Sequence, residues 1–380
     1  MEERRREESP CFGRRATKTF DKQRQLLYNK MNCRKKTERK FWEEQRMNVI
    51  LDAFGGDYAP LEAVKGAVAA HAAYGYTVTL CGREAELREL CHRGGLSEEG
   101  LLFADAPDVI SMEDEPRSIL KAHKDCSMAV GLRMLAEGQG DAFVSAGSTG
   151  ALLMGATFLV KRIAGISRPA LGAVLPSDTH PFMLTDMGAN ADCRPEMLLQ
   201  FAQMAQLYMT YVVKNGEPAT VGLLNIGAED TKGGELQHAA FALLRESGLP
   251  FVGNVEARDV PAGAADVIVA DGFSGNVLLK AMEGTVQMLM KNIKQTFLAT
   301  LGTKLAGLVI KPHLRPLKQK MDTSAYGGAV LLGVRKPVIK AHGNSDARAI
   351  QNAIRVAAEC AAQDIPGRIA MLTAGAEEEA

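Results

Sequence analysis

Val144-Ser145-Ala146-Gly147-Ser148-Thr149-Gly150-Ala151-Leu152-Leu153 runs from an apolar strand-like stretch, through two glycines three apart, into an apolar helix-like stretch. Val269-Ala270-Asp271-Gly272-Phe273-Ser274-Gly275-Asn276-Val277-Leu278 repeats the plan. A strand that turns tightly into a helix leaves backbone N–H groups free at the positive end of that helix. Such a turn holds anions, phosphate above all. The plainer reading is that the glycines only close strand-to-helix turns. The hydroxyl pair Ser148-Thr149 and the second copy favour a cleft for phosphate chemistry.

Outward from these turns, strands and helices alternate. Strands are expected at 48–53, 77–81, 101–104, 142–145, 170–175, 182–185, 220–224, 267–270 and 338–341. Helices are expected at 84–92, 127–137, 151–163, 196–213, 236–247, 277–291 and 346–361, with one more opening at Pro60 and closing at Gly75. The stretches 170–175 and 182–185 read as an antiparallel pair around Pro176-Ser177-Asp178. Repeated strand–helix units predict a doubly wound, mostly parallel α/β sheet with helices on both faces. Ligands in such sheets bind outside the carboxyl ends of the strands, where both glycine turns fall.

The 380 residues carry 45 basic and 45 acidic side chains, a net charge of zero, unevenly spread. Residues 1–46 hold 15 Lys/Arg against 8 Asp/Glu and few aliphatics, so they read as a basic, disordered extension or the product of a mis-assigned start. Sparse aromatic interleaving there argues against nucleic-acid binding. The body is expected over 47–365, with a flexible tail over 366–380. Seven cysteines without metal-ligand spacing favour reduced thiols in the cytoplasm. Cys193 alone lies among polar motif residues, and no His adjoins it to activate a nucleophile. No signal peptide is apparent, and no apolar run approaches the ~18 residues of a membrane-spanning helix.

Six polar clusters follow expected strands: Asp52–Asp57, Ser145–Gly150, Asp186–Asn190, Asn225–Glu229, Asp271–Asn276 and Ala341–Ser345. Together they predict one polar rim on a single sheet edge. Gly147, Ser148, Thr149 and Gly150, with Gly272, Ser274 and Gly275, are the candidate phosphate cradle. Asn190, Asn225 and Asn276 are candidate oxyanion or orienting donors, Lys232 a charge neutraliser and His342 a general acid. Arg168 could add a cation. Asp52, Asp57, Asp186 and Asp271 lack metal-ligand spacing, and most of them read better as helix caps, so no metal is expected.

Residues 284–321 hold seven Lys/Arg and no acidic residue. Lys304, Leu305, Leu308, Val309, Ile310 and Lys311 form an apolar knot between cations. Each basic residue near an anionic bilayer contributes about 1 kcal/mol and each buried aliphatic roughly 1.5–3 kcal/mol, which suits reversible docking of a helical hairpin on a membrane surface. A face covered by a second subunit or by an acidic protein are the alternatives.

Asp52-Ala-x-Gly-Gly-Asp57, Ser145-Ala-Gly-Ser-Thr-Gly-Ala151, Arg168-Pro169-Ala170, Asp186-x-Gly-Ala-Asn190, Asn225-Ile-Gly227, Lys232-Gly233, Gly253-Asn254, Asp271-Gly-Phe-Ser-Gly-Asn276, Tyr326-Gly-Gly328 and Ala341-His-Gly343 form an ordered set. From Met47 to about Ile365, the chain resembles the bacterial phosphate acyltransferase family, the acyl-ACP:phosphate transacylases of phospholipid synthesis. The resemblance implies a bilobed fold like isocitrate dehydrogenases and phosphotransacetylases, and a homodimer. It implies attack of inorganic phosphate on the thioester of a long-chain acyl carrier protein, with no cofactor. It also implies delivery of the acyl phosphate to a membrane glycerol-3-phosphate acyltransferase, from a cytoplasmic protein docked on the inner face of the membrane. Phe54 and Tyr58 depart from the family's Met and His. Ala228 and Ala325 stand where it usually carries Glu. A CoA-dependent phosphotransacetylase-like enzyme and a non-catalytic scaffold for lipid enzymes remain the other readings.

Overall fold

A computed structural model describes residues 47–320 and 323–378, without the side chains of 308, 311, 312, 314–320, 323, 324 and 375–378. The expected basic extension, 1–46, lies outside the described residues. The first run comprises β1 (Asn48–Asp52), α1 (Leu61–Tyr74), β2 (Thr77–Gly82), α2 (Glu84–Gly94), β3 (Leu101–Asp105), α3 (Ser127–Ala136), β4 (Ala142–Ser145) and α4 (Thr149–Gly155). The chain continues through β5 (Ala170–Leu175), β6 (Phe182–Thr185), α5 (Pro195–Tyr208), β7 (Val221–Asn225), α6 (Glu235–Glu246), β8 (Phe251–Glu256) and β9 (Val267–Val269). Next come α7 (Gly272–Leu298) and α8 (Leu301–Lys320), then β10 (Ala329–Leu332), β11 (Val338–Lys340), α9 (Ala347–Ala362) and α10 (Ile365–Glu378).

Local chemistry sets several ends. Ser148, Asp271 and Asp346 cap α4, α7 and α9, each side chain accepting a bond from an amide three residues on. Gly75 closes α1 in the left-handed region at φ 73°, which glycine enters at little cost. The helices expected to reach 163 and 213 change instead into π turns at Ala156–Lys161 and Met209–Val213. The tail expected to be flexible from 366 continues as α10, because Ile365 and Ile369 are buried in the core.

The eleven strands of the described residues form one sheet, ordered β3-β2-β1-β4-β11-β10-β5-β6-β9-β7-β8. Its three antiparallel junctions are adjacent, at β11–β10, β10–β5 and β5–β6. Every other pairing is parallel. Outward from the central pair β10–β5, the order is matched: β11 with β6, β4 with β9, β1 with β7 and β2 with β8. Partners in each match run in opposite directions, which amounts to an approximate two-fold axis through the sheet. The doubled glycine turn of the sequence is this symmetry, since the two copies follow the matched strands β4 and β9.

Opposed strand directions overturn one expectation. The six polar clusters do not share an edge. Asp52–Asp57, Ser145–Gly150 and Ala341–Ser345 follow β1, β4 and β11 on one edge. Asp186–Asn190, Asn225–Glu229 and Asp271–Asn276 follow β6, β7 and β9 on the other. Five strand spacings separate β4 from β9, roughly 24 Å of sheet. Twist accumulates at about 20–25° per strand, and it lifts diagonally opposite corners of a sheet toward one face.

That face carries α3, α4 and the start of α7. Ala151 and Leu152 of α4 and Leu279 of α7 share a core with Leu171, Leu184, Leu331 and Val338 of the central strands. The opposite face packs α1, α5, α6 and α9 over Val49, Leu51, Val330 and Ile339. The matched helices α4 and α7 therefore flank the central strands on the same side.

Candidate active site

Each edge is organised around a buried carboxylate. On the first, Asp52 accepts from Ser127 Oγ and Ser145 Oγ, both at 2.6 Å, and from the Phe54 amide. Ser145 Oγ in turn accepts from the Gly147 amide at 3.0 Å. Ser148 Oγ caps Ala151. The Gly147 amide, expected to face an anion, is thus committed within the turn. Ser148 Oγ accepts there but keeps its O–H to donate, so Ser148, Thr149 and Gly150 remain for that role. A Cβ on Gly55 would stand 2.4 Å from Asp52 Oδ2 and 2.7 Å from the Gly147 nitrogen, so only glycine lets these two loops meet. Asp57 reaches the third loop, its amide donating to Gly343 O at 2.8 Å, and His342 stands exposed beside it.

On the second edge, Asp186 is fully buried and accepts from the amides of Leu171, Ala189 and Asn190 and from Asn190 Nδ2 at 2.9 Å. Asn190 Nδ2 also donates to Pro169 O at 2.8 Å, which uses both of its hydrogens. Asn190 is an architectural residue, not a free oxyanion donor. Asn225 shapes its own loop, with Nδ2 donating to Lys232 O and Oδ1 accepting from Ile226. Gly272 gives its amide to Asn190 O at 2.8 Å, Ser274 gives its amide to Asp271 Oδ1, and the Gly275 amide goes to Asp271 O. Asn276 is exposed next to Gly188, and Lys232 is exposed on the Asn225 loop. Burial pushes the carboxyls of Asp52 and Asp186 above the usual range against the hydrogen bonds they accept. Cys193 is half-buried, bonds Asn190 O and has its thiol pushed up to about 11, which suits a structural thiol and not a nucleophile.

Over the central strands one residue of the second corner, Ala189, comes to the same hollow as Thr149 of the first. This narrow hollow is lined by Thr149, Leu152 and Leu153 from one side, Ala189 from the other, and Leu171, Leu331 and Lys340 beneath. Lys340 is buried at the end of β11, a cation that sequence reasoning missed. A single lysine closing a three-residue strand reads as a surface charge. Only the register placing it beside Ser145 reveals its burial.

Among known proteins, the family model described as "Fatty acid synthesis protein" matches residues 47–368. The "Phosphate acyltransferase" of Geobacillus thermodenitrificans is 48% identical over 325 residues, 85% of this chain and 98% of that protein. That of Clostridium acetobutylicum is 42% identical over 324 residues, again 85% and 98%. The chain belongs to the phosphate acyltransferase family. A phosphotransacetylase from Streptococcus pyogenes superposes with a TM-score of 0.57 at 17% identity, covering 84% of this chain and 94% of that one. The EutD phosphotransacetylase from Staphylococcus aureus gives 0.55 at 15%, covering 83% and 94%. Those two share the fold.

For a phosphate acyltransferase, the sorting of donors matters most. Gly147, Asn190 and Gly272 spend their polar groups on the scaffold, and Asn225 spends most of its own. Ser148, Thr149 and Gly150 on one corner, and Asn276 and Lys232 on the other, keep groups to offer a ligand. Asp271, Ser274 and Gly275 form the cap that starts α7. Among the described residues no three His, Cys, Asp or Glu side chains converge as a metal site would require.

The hairpin α7–α8 leaves the body soon after Leu279. Leu301, Leu305 and Val309 are 80%, 67% and 71% exposed, and Lys291, Lys294, Lys304 and Ile310 are exposed with them. The side chains of Leu308 and Lys311 lie outside the described residues. No described helix is long and apolar enough to cross a membrane.

Proposed function

We propose that this acyltransferase moves a long-chain acyl group from acyl carrier protein thioester to inorganic phosphate. The observation that carries the reading is the hollow over β10–β5, where Thr149 from one corner comes within a shared cavity of Ala189, neighbour of the Asn276 cluster, above an apolar floor. Phosphate sits at Thr149 and the Gly150 amide, beside the start of α4. Asn276 donates to the oxygen that becomes negative when phosphate adds to the thioester carbonyl. Lys232 offsets the charge of the adduct, and His342 is the acid available to the departing sulfur. Because phosphate is the nucleophile, no Ser-His-Asp arrangement is required. The hollow, of about 10 Å³, is smaller than a phosphate, so α4 and the loop after β6 must move apart above the intact sheet to admit substrate.

Incubation with acyl carrier protein thioester and phosphate should release free thiol and acyl phosphate, trapped as a hydroxamate, in equal amounts. Thiol release without acyl phosphate would make the protein a thioesterase and end the proposal. Equal turnover of short acyl-CoA would favour a phosphotransacetylase. Thr149→Ala should raise KM for phosphate about tenfold, and Ser148→Ala should in addition remove a helix cap worth about 1 kcal/mol, read by thermal unfolding.

The exposed basic hairpin supports a second part of the proposal: peripheral docking on the anionic cytoplasmic leaflet. There the acyl phosphate reaches a membrane glycerol-3-phosphate acyltransferase on the route to phosphatidic acid. A homodimer would cover the remaining apolar length of α7. Leu305→Glu with Val309→Glu should abolish co-sedimentation with anionic vesicles while leaving turnover of soluble substrate unchanged. Undiminished vesicle binding would remove the hairpin from this role.

A further inference from the structure

The steps above leave one buried cation without a part. Lys340 is 8% exposed, and its Nζ donates to Ala146 O at 3.3 Å and, by a short bond, to Ala341 O. Ala146 belongs to the loop after β4 and Ala341 to the loop after β11, so one ammonium fastens both loops of the first corner. Taking an ammonium out of water costs several kcal/mol, and two neutral carbonyls return only part of that. Asp52 and Asp57 face it as charges, and burial discourages ionisation of the first. A lysine ammonium has three N–H donors, and two are spent on the carbonyls. The same side chain borders the hollow next to Thr149.

We propose that Lys340 is the fixed cation of the phosphate subsite, its third N–H taking an oxygen of the phosphate held at Thr149. This assignment rests on the acyl-transfer reading above and adds the charge that neutral turn donors lack, the Gly147 amide being committed internally. The stem of Lys340 lines the hollow beside Thr149, and its ammonium lies just behind that lining, where water is scarce and a charge-assisted bond is worth most. Burial holds the ammonium's pKa down to about 8, so the charge is present at neutral pH and lost as pH rises through that value. Apart from Asp52 and Asp57, the groups facing it do not titrate: α4 presents Thr149, Leu152 and Leu153, β5 and β10 present Leu171 and Leu331, and the loop after β6 presents Ala189.

The test uses the full-length enzyme, Lys340→Met and Lys340→Arg, with acyl carrier protein thioester and varied phosphate from pH about 6.5 to about 9.5. Calorimetric titration with inorganic phosphate and thermal unfolding accompany the kinetics. Lys340→Met should raise KM for phosphate about tenfold or more at neutral pH, with kcat changed far less. Wild-type KM should climb further above pH about 8, relative to Lys340→Met, because the ionisation of phosphate itself is common to both and cancels in the ratio. Lys340→Arg, which stays charged, should lack that climb. A wild-type KM in folded Lys340→Met, or a ratio flat across pH, overturns the assignment. Should Lys340→Met fail to fold, phosphate affinity of the wild type that does not fall above pH about 8, measured against Lys340→Arg, overturns it instead. Failure of the wild type to make acyl phosphate would sink the reaction; a normal wild type with an insensitive Lys340 sinks only this cation.

Discussion

Gly275→Ala is expected to unfold the protein or cost about 3 kcal/mol or more, an overpacking effect at the upper end of its range. An added Cβ would stand 1.9 Å from the carbonyl oxygen of Asp186, and a backbone atom cannot rotate out of the way. Relief requires the first turn of α7 to lift off β6. Lifting it breaks the bond from the Gly272 amide to Asn190 O and disturbs Asp186, on which the whole second corner is built. Gly284→Ala provides the control. Nothing lies within 4 Å of its would-be Cβ, and in an exposed helix interior alanine gains about 0.5–1 kcal/mol over glycine. Urea unfolding of the two variants should move the midpoint in opposite directions. A Gly275→Ala protein as stable as wild type would mean that α7 does not pack on β6 as described.

Asn276→Ala should lower kcat by about 10²–10³-fold while leaving the unfolding midpoint nearly unchanged, the usual cost of removing one oxyanion donor. Asn190→Ala should do the reverse. Both hydrogens of its amide are engaged, on Asp186 and Pro169, so deletion removes one of four donors from a buried carboxylate and the side-chain donor from Pro169 O, and shows first as lost stability. Two asparagines alike in sequence are separated by what their Nδ2 atoms already hold. Full turnover in folded Asn276→Ala would move the oxyanion donor elsewhere, with Lys232 next to test.

The fold was legible where hydrophobic pattern and turn chemistry agreed. β1, β4, β5 and β6 fall within a residue of expectation, and α9 opens one residue after the expected start at Asp346, whereas α7 opens at Gly272, five residues before the expected start at Val277. β8 was missed because Phe251-Val252-Gly253-Asn254-Val255-Glu256 carries two strand-poor residues at its centre. β10 was missed because Ala329-Val330-Leu331-Leu332 is too short an apolar run to assign by period. The site was half legible. Motif residues gather at two corners, three clusters to each. A strand's direction is a property of its pairing partners, so the division of six loops between two edges could not be read locally. Nor could the identity of the free donors. That Ser145 would take the Gly147 amide, and Asn190 brace Asp186, depends on contacts across tens of residues.

The intercalated order of the sheet bears on how the chain matures during synthesis. β11 inserts between β4 and β10, and Lys340 bonds a residue 194 positions earlier. Until the last strands leave the ribosome, β4 keeps a bare hydrogen-bonding margin, and the amino-terminal part cannot complete itself by folding alone. Pairings of such sequence separation form slowly and leave sticky intermediates. A nascent chain halted before residue 338 should therefore depend on chaperones to a degree that the released protein does not.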